Sequence, residues 1–183
     1  MEAVWVAGCS GYETTGVIHL LKGCGVSVRL FRPGERLRAG DTLILCFSSA
    51  PLLGWWRYLK ITQWVAYRYD IRLIVLCPDE VCRTDVVCGR NTVTVNGERS
   101  CIHLSLSLQQ TVQRCLPDGM PESQWDCVKS FLERASQTLR IFPVRESEDS
   151  AIRRAYQKRD LMVQRLGFVS LMRLKVFMAG HLP

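Results

Sequence analysis

No Cys-x-x-Cys pair occurs in this chain, although nine of its 183 residues are cysteine. Cys77, Cys82, Cys88 and Cys101 stand too far apart for a zinc ribbon, and the odd total with irregular spacing argues against a disulfide scaffold. Cys46 and Cys77 fall inside apolar runs, where a free thiol behaves as a small hydrophobe. No structural disulfide is expected. Nucleotide-binding motifs are missing too. The stretch "GCSGYETTG" lacks the lysine and the spacing of a P-loop, and Gly8, Gly11 and Gly16 do not supply Gly-x-Gly-x-x-Gly. Histidine is scarce: only His19, His103 and His181 are present. No acid, base and nucleophile set emerges, so the chain is not expected to be an enzyme, nor to carry a cofactor or a resident metal. Long hydrophobic runs are also lacking. "LILCFSSAPLLGWW" is interrupted by Ser48, Ser49 and Pro51 and is too short to span a bilayer. Met1 is followed by Glu2 and a strand-like run without a basic leader. The expectation is a cytoplasmic protein with no membrane association.

What is present is an ordinary globular composition, 48% hydrophobic and 22% charged, with a net charge of +7 and a pI near 9.1. Such a balance permits a sizeable core and favours anionic partners, nucleic acid before a membrane surface. Through residue 116 the pattern alternates between strand and helix. "VWVAG", "VSVRLF", "DTLILCF" and "IRLIVLCP" read as strands, the last two apolar enough to be buried on both faces. "YETTGVIHLLKGCG" and "LLGWWRYLKITQWVAYRYD" read as helices. "NTVTVNGERSCIHLSL" reads as one strand or as a hairpin turning at Asn96-Gly97, and "SLQQTVQRCL" as a closing helix. The result is an α/β domain of flavodoxin-like order over residues 1–116. In the aromatic cluster, Trp56 and Trp64 are expected on the sheet, with Trp55 and Tyr67 or Tyr69 more exposed.

Pro117, Asp118, Gly119 and Pro121 mark a boundary. Beyond it every periodic segment is helical, giving a small all-α domain over residues 117–183. From Met120 onward there are 11 Lys/Arg against 7 Asp/Glu, so +4 of the net charge lies in this smaller part. In "SAIRRAYQKRDLMVQRLG", Ile152, Ala155, Met162, Val163 and Leu166 share one face. Arg153, Arg154, Gln157, Lys158 and Arg165 project elsewhere. One apolar face and one face of Arg, Lys and Gln suits a helix that reads a major groove, since Arg and Lys neutralise phosphates and Gln pairs with adenine. A solvated basic surface helix has the same pattern.

"AIRRAYQKRDLMVQRLGFVSLMRLKVF" resembles the end of the LuxR/FixJ helix-turn-helix domain of NarL-type response regulators. In that family the recognition helix ends in Lys/Arg-Leu-Gly, here Arg165-Leu166-Gly167, and Leu174 fits the apolar position of the last helix. "MPESQWDCVKSFLERAS" is similar to the domain's opening, with Met120, Pro121, Gln124, Val128, Phe131 and Leu132 in place. "TTGVIHLLK", with Gly16, resembles the first helix of a receiver domain. The resemblance implies an atypical regulator with a receiver-like first domain and a helix-turn-helix second domain.

Set against the family, the chain departs at the phosphorylation site. Where a receiver has its acids after strand 1, its phosphoryl-accepting Asp, its Thr/Ser and its Lys, this chain has Gly8 and Cys9, Cys46, Cys77 and Asn96. Without carboxylates a hard cation lacks ligands, so the resemblance implies no aspartyl phosphorylation. It further implies double-stranded DNA as partner, contacted by Arg153, Arg154, Gln157, Lys158 and Arg165. The receiver-like part would then mediate a homodimer or a heterodimer with another regulator. Pro143 breaks or kinks the expected second helix, "SQTLRIFPVRESED". That motivates the other reading, a module that captures another regulator without touching DNA.

Overall fold

The computed structural model describes residues 3–32, 34–84, 86–87, 89, 91–113, 124–141 and 149–181. Five strands, β1 (Val4–Gly8), β2 (Val28–Leu30), β3 (Thr42–Cys46), β4 (Arg72–Cys77) and β5 (Thr92–Asn96), form one sheet in the order β2-β1-β3-β4-β5. Every pairing is parallel. This is the flavodoxin-like α/β order, and it follows from the sequence as expected: a parallel strand needs both faces covered, so its apolar residues run on without alternation. All five residues of β3 are buried, as are five of six in β4.

On one face lie α1 (Gly11–Gly23) and α4 (Cys101–Gln113). Val17 and Leu21 of α1 and Leu104 and Leu108 of α4 pack on Val6, Ile44, Ile74 and Leu76. The other face carries α2 (Trp56–Arg68) and the one-turn α3 (Asp79–Cys82), together with α5 (Gln124–Arg140), α6 (Asp149–Arg165) and α7 (Leu171–Phe177). Leu43, Leu45, Leu73 and Val75 of the sheet belong to the same buried cluster as Phe131, Leu132, Val163, Leu166 and Phe177. The expected boundary at residue 117 falls within residues 114–123, outside the described ones. The helices beyond it nevertheless share this core with the sheet.

Trp55 joins the two parts. It is fully buried, its ring stacks on Phe177 at 6.2 Å, and its indole N–H donates to the Phe47 carbonyl at 3.3 Å. Phe177 in turn meets Phe131 and Phe168. Nearby, Gly54 N–H donates to Val176 O and the Trp56 indole N–H to Ala179 O, each at 2.9 Å. Glu80 of α3 pairs with Arg173 of α7 at 3.2 Å.

Elsewhere the structure departs from the sequence reading. Trp55, expected outside, is buried, and Trp64, expected on the sheet, is 56% exposed. Asn96-Gly97 does not turn a hairpin: β5 ends at Asn96 and α4 begins at Cys101, five residues on. The expected second helix over 136–149 is, through Arg140, the end of α5; residues 142–148, with Pro143, lie outside the described ones.

A buried carboxylate fixes the start of β3. Asp41 accepts from Ala3 N at 2.9 Å, Arg38 N at 3.0 Å and the Trp5 indole N–H at 3.2 Å. Burial alone would raise its pKa, but these donors together hold it below the usual carboxylate range. A depressed folded pKa contributes stability above the unfolded value of about 4 and loses it as pH falls through the folded value. Asp41→Asn is therefore expected to cost about 1–3 kcal/mol at pH 7, because its amide NH₂ would face backbone and indole donors. Urea titrations at pH 7 and near pH 3 should show the gap between the two proteins closing in acid.

Candidate functional site

Parallel strands present their carboxyl ends along one edge of the sheet, and the crevice at the point where strand order reverses is the usual ligand position of this fold. Here that point lies between β1 and β3, where register sets Gly8 opposite Cys46. Gly8 has no room for a side chain. A Cβ would lie 2.6 Å from Cys46 O, 2.8 Å from Cys46 Cβ and 2.9 Å from Thr14 Cγ2. Gly8→Ala should accordingly destabilise the chain toward the upper end of about 1–3 kcal/mol, read as a lower urea midpoint; an unchanged midpoint would contradict this packing. Cys9 donates its N–H to Cys46 O at 3.4 Å and is exposed. Cys46 is buried, and burial, then the neighbouring Glu13 carboxylate, push its thiol well above the ordinary range.

Beside this crevice stands Glu13 of α1, a residue not singled out from the sequence. Its carboxylate accepts from Ser48 N at 3.0 Å and Ser49 N at 3.1 Å, and from both serine hydroxyls. Four donors satisfy two oxygens and tie α1 to the loop after β3. Ser48 also packs against Gly97, where a Cβ would come within 2.2 Å of its Oγ. Tyr58 lies against Cys9, and its hydroxyl is shifted upward, first by burial and also by the hydrogen bond with Cys9.

Cys77 and Asn96 are opposite each other in the β4–β5 register. They do not join the group at Gly8. Cys77 faces the core shared with α2 and α5–α7, whereas Cys46 faces the core under α1 and α4. Asn96 is engaged in the turn after β5: it donates to Asp79 at 2.7 Å and accepts from Glu98 N at 2.9 Å. Asp79 pairs with Arg83 as well, and its N–H donates to Glu98. The five edge residues expected to share one pocket are thus divided between the two faces.

The second candidate is α6. Val163 and Leu166 are buried, and Ile152, Ala155 and Met162 are half-buried. Arg153, Arg154, Gln157, Lys158 and Arg165 are all exposed. Arg154, Gln157, Lys158 and Arg165 flank a shallow depression of about 360 Å³ whose floor is Leu161 and Met162. Their spacing, recurring at three and four residues, puts them along one side of the helix. Arg159 lies instead over the Tyr156 ring at 4.8 Å. The helix stops at Gly167, whose φ of +85° suits glycine, with Phe168 N–H donating back to Val163 O at 3.2 Å. Gly167 also seats the helix: a Cβ there would lie 2.8 Å from Arg83 O. Ser170 then caps α7, accepting from Arg173 N.

No family model matches the chain, and no curated protein matches it. Among solved structures it is similar to the regulatory domain of the master biofilm regulator CsgD, at 14% identity and a TM-score of 0.47, covering 71% of this chain and 99% of that one. Among the described residues no helix is long and apolar enough to cross a membrane.

Proposed function

We propose that this chain regulates transcription by binding double-stranded DNA through α6, with a receiver-like α/β part that works without aspartyl phosphorylation. The observation that carries the reading is the exposed row of Arg153, Arg154, Gln157, Lys158 and Arg165 on a helix whose opposite side is anchored in the core. A helix of 17 residues is about 25 Å long and fits a major groove about 12 Å wide. Arg and Lys supply phosphate neutralisation, and Gln157 supplies a donor and an acceptor that match adenine. At the sheet edge, the fully buried Cys46 stands where the resemblance puts the phosphoryl-accepting Asp, which supports control other than by phosphoryl transfer. The test is a titration of fluorescent duplex DNA with the purified chain from about 50 to 200 mM salt, where a groove-reading protein loses affinity steeply with salt. Binding that is absent, or indifferent to salt, overturns the proposal.

Exposed Ile61 and Trp64 on α2, at 45% and 56%, favour a second reading: a module that captures another regulator without contacting DNA. Replacing Arg153, Arg154 and Lys158 together by Ala separates the two, since regulation in cells survives the change only in the second.

A further inference from the structure

Two cysteines meet where β4 passes into α3. Cys77 closes the strand, Cys82 closes the one-turn helix, and their sulfurs lie 3.0 Å apart. The two thiols differ in access. Cys77 is fully buried, whereas Cys82 is half-exposed and lines an open, largely polar pocket of about 310 Å³ with Thr94, Asn96, Arg99, Ser107 and Gln110. Such a pocket admits a small polar oxidant to Cys82 and shields Cys77 from it.

We propose that Cys77 and Cys82 form a reversible redox pair, in which Cys82 attacks a peroxide entering this pocket and Cys77 resolves the product as an intrachain disulfide. In the first step the Cys82 thiolate attacks one peroxide oxygen and the O–O bond breaks. The released hydroxide takes a proton to leave as water, and Cys82 becomes a sulfenic acid. In the second step Cys77 sulfur attacks Cys82 sulfur, the S–O bond breaks, and the departing hydroxide carries off the Cys77 proton as a second water. Two thiols are oxidised by two electrons in all, and one peroxide is reduced to two waters. An external dithiol returns the pair to the thiol state by exchange.

Electrostatics agree with this division of roles. A hydrogen bond from Cys77 and the positive charge of Arg99 hold the Cys82 thiol below its ordinary pKa against the cost of burial. The same hydrogen bond, with burial, holds Cys77 above it. Closing the sulfurs from 3.0 Å to a bond of about 2.05 Å needs a movement of about 1 Å. The bond would tie α3 to the end of β4 beside Arg83, on which Gly167 and the turn between α6 and α7 rest.

Peptide mapping of the full chain tests the proposal. Both cysteines fall in the single tryptic segment 73–83, "LIVLCPDEVCR". After limiting hydrogen peroxide and alkylation, this segment is expected to escape both alkylations and to have lost both thiol hydrogens, ahead of oxidation at the exposed Cys9 and Cys101. Dithiothreitol should restore its alkylation. In Cys77→Ala, Cys82 should stop at the sulfenic acid and take up dimedone; in Cys82→Ser the segment should resist peroxide. A wild-type segment alkylated at both sites, or joined to another chain, overturns the proposal, and this wild-type measurement decides even if the buried Cys77→Ala fails to fold.

Discussion

Trp55→Ala is expected to lower the unfolding free energy by about 3–5 kcal/mol, the range for removing a large buried aromatic from a core that cannot collapse around the void. Trp55 has no exposed surface, and three parts of the chain meet on it: Phe47 after β3, Tyr58 of α2 and Phe177 of α7. The cavity would open beneath α7, where Gly54 N–H and the Trp56 indole N–H hold the end of the chain. Two readouts are therefore expected to change together: the urea midpoint falls, and the segment after residue 168 becomes susceptible to limited proteolysis. Trp64→Ala serves as the control. Its ring is 56% exposed and makes an edge contact with Tyr69 at 6.0 Å, so a change of about 0.5 kcal/mol or less is expected. Equal losses in the two variants would mean that the packing of α7 on Trp55 contributes little.

The contrast between these tryptophans also shows where sequence reading succeeds and where it fails. Strands β3 and β4 were legible because burial on both faces leaves an uninterrupted apolar run. Their parallel pairing followed, since the intervening α2 is the crossover such pairing needs. The phase of α2 was not legible. Its buried stripe runs Trp55, Leu59, Thr62 and Val65, and Thr62 conceals it by being polar while donating its hydroxyl to Tyr58 O at 2.9 Å. Nor could the apolar faces of α5 and α7 name their partner. Amphipathicity says that a face is buried and is silent on what buries it. In this chain that partner includes the sheet itself, through a cluster drawing on residues more than a hundred positions apart.

The sheet edge was half legible for a similar reason. Gly8, Cys46, Cys77 and Asn96, matched to receiver positions by resemblance, close β1, β3, β4 and β5. Which face each one addresses depends on register and on pleat, and a difference of one residue between Cys46 and Cys77 puts them on opposite sides. Glu13 was missed because its partners, Ser48 and Ser49, lie 35 and 36 residues away. One local signal did point at it. Ser10 and Glu13 have the spacing of a capping box, and Ser10 Oγ does accept from Glu13 N at 3.5 Å. The carboxylate, however, bonds the serine loop, so the motif marks the residue and misassigns its partner.

On α6 the largest functional effect is expected from Arg153→Ala, Arg154→Ala and Lys158→Ala combined. All three side chains are exposed, and the residues that anchor the helix, Val163 and Leu166, are untouched. Stability should therefore hold within about 0.5 kcal/mol per site. If each cation neutralises one phosphate, the slope of log K against log salt becomes shallower by about 3, close to one unit per lost charge. Gln157→Ala makes the complementary test. It removes no charge, so the salt slope should stay constant while discrimination among duplexes weakens by about 1–3 kcal/mol at one base position. The two variants distinguish mechanisms that a single binding constant cannot. A shallower slope in the triple variant with unchanged discrimination in Gln157→Ala describes a helix lying along the backbone. Both changes together describe one seated in the groove. A triple variant that binds DNA with the wild-type slope would remove these three α6 cations from the interface and assign the phosphate contacts to other basic residues.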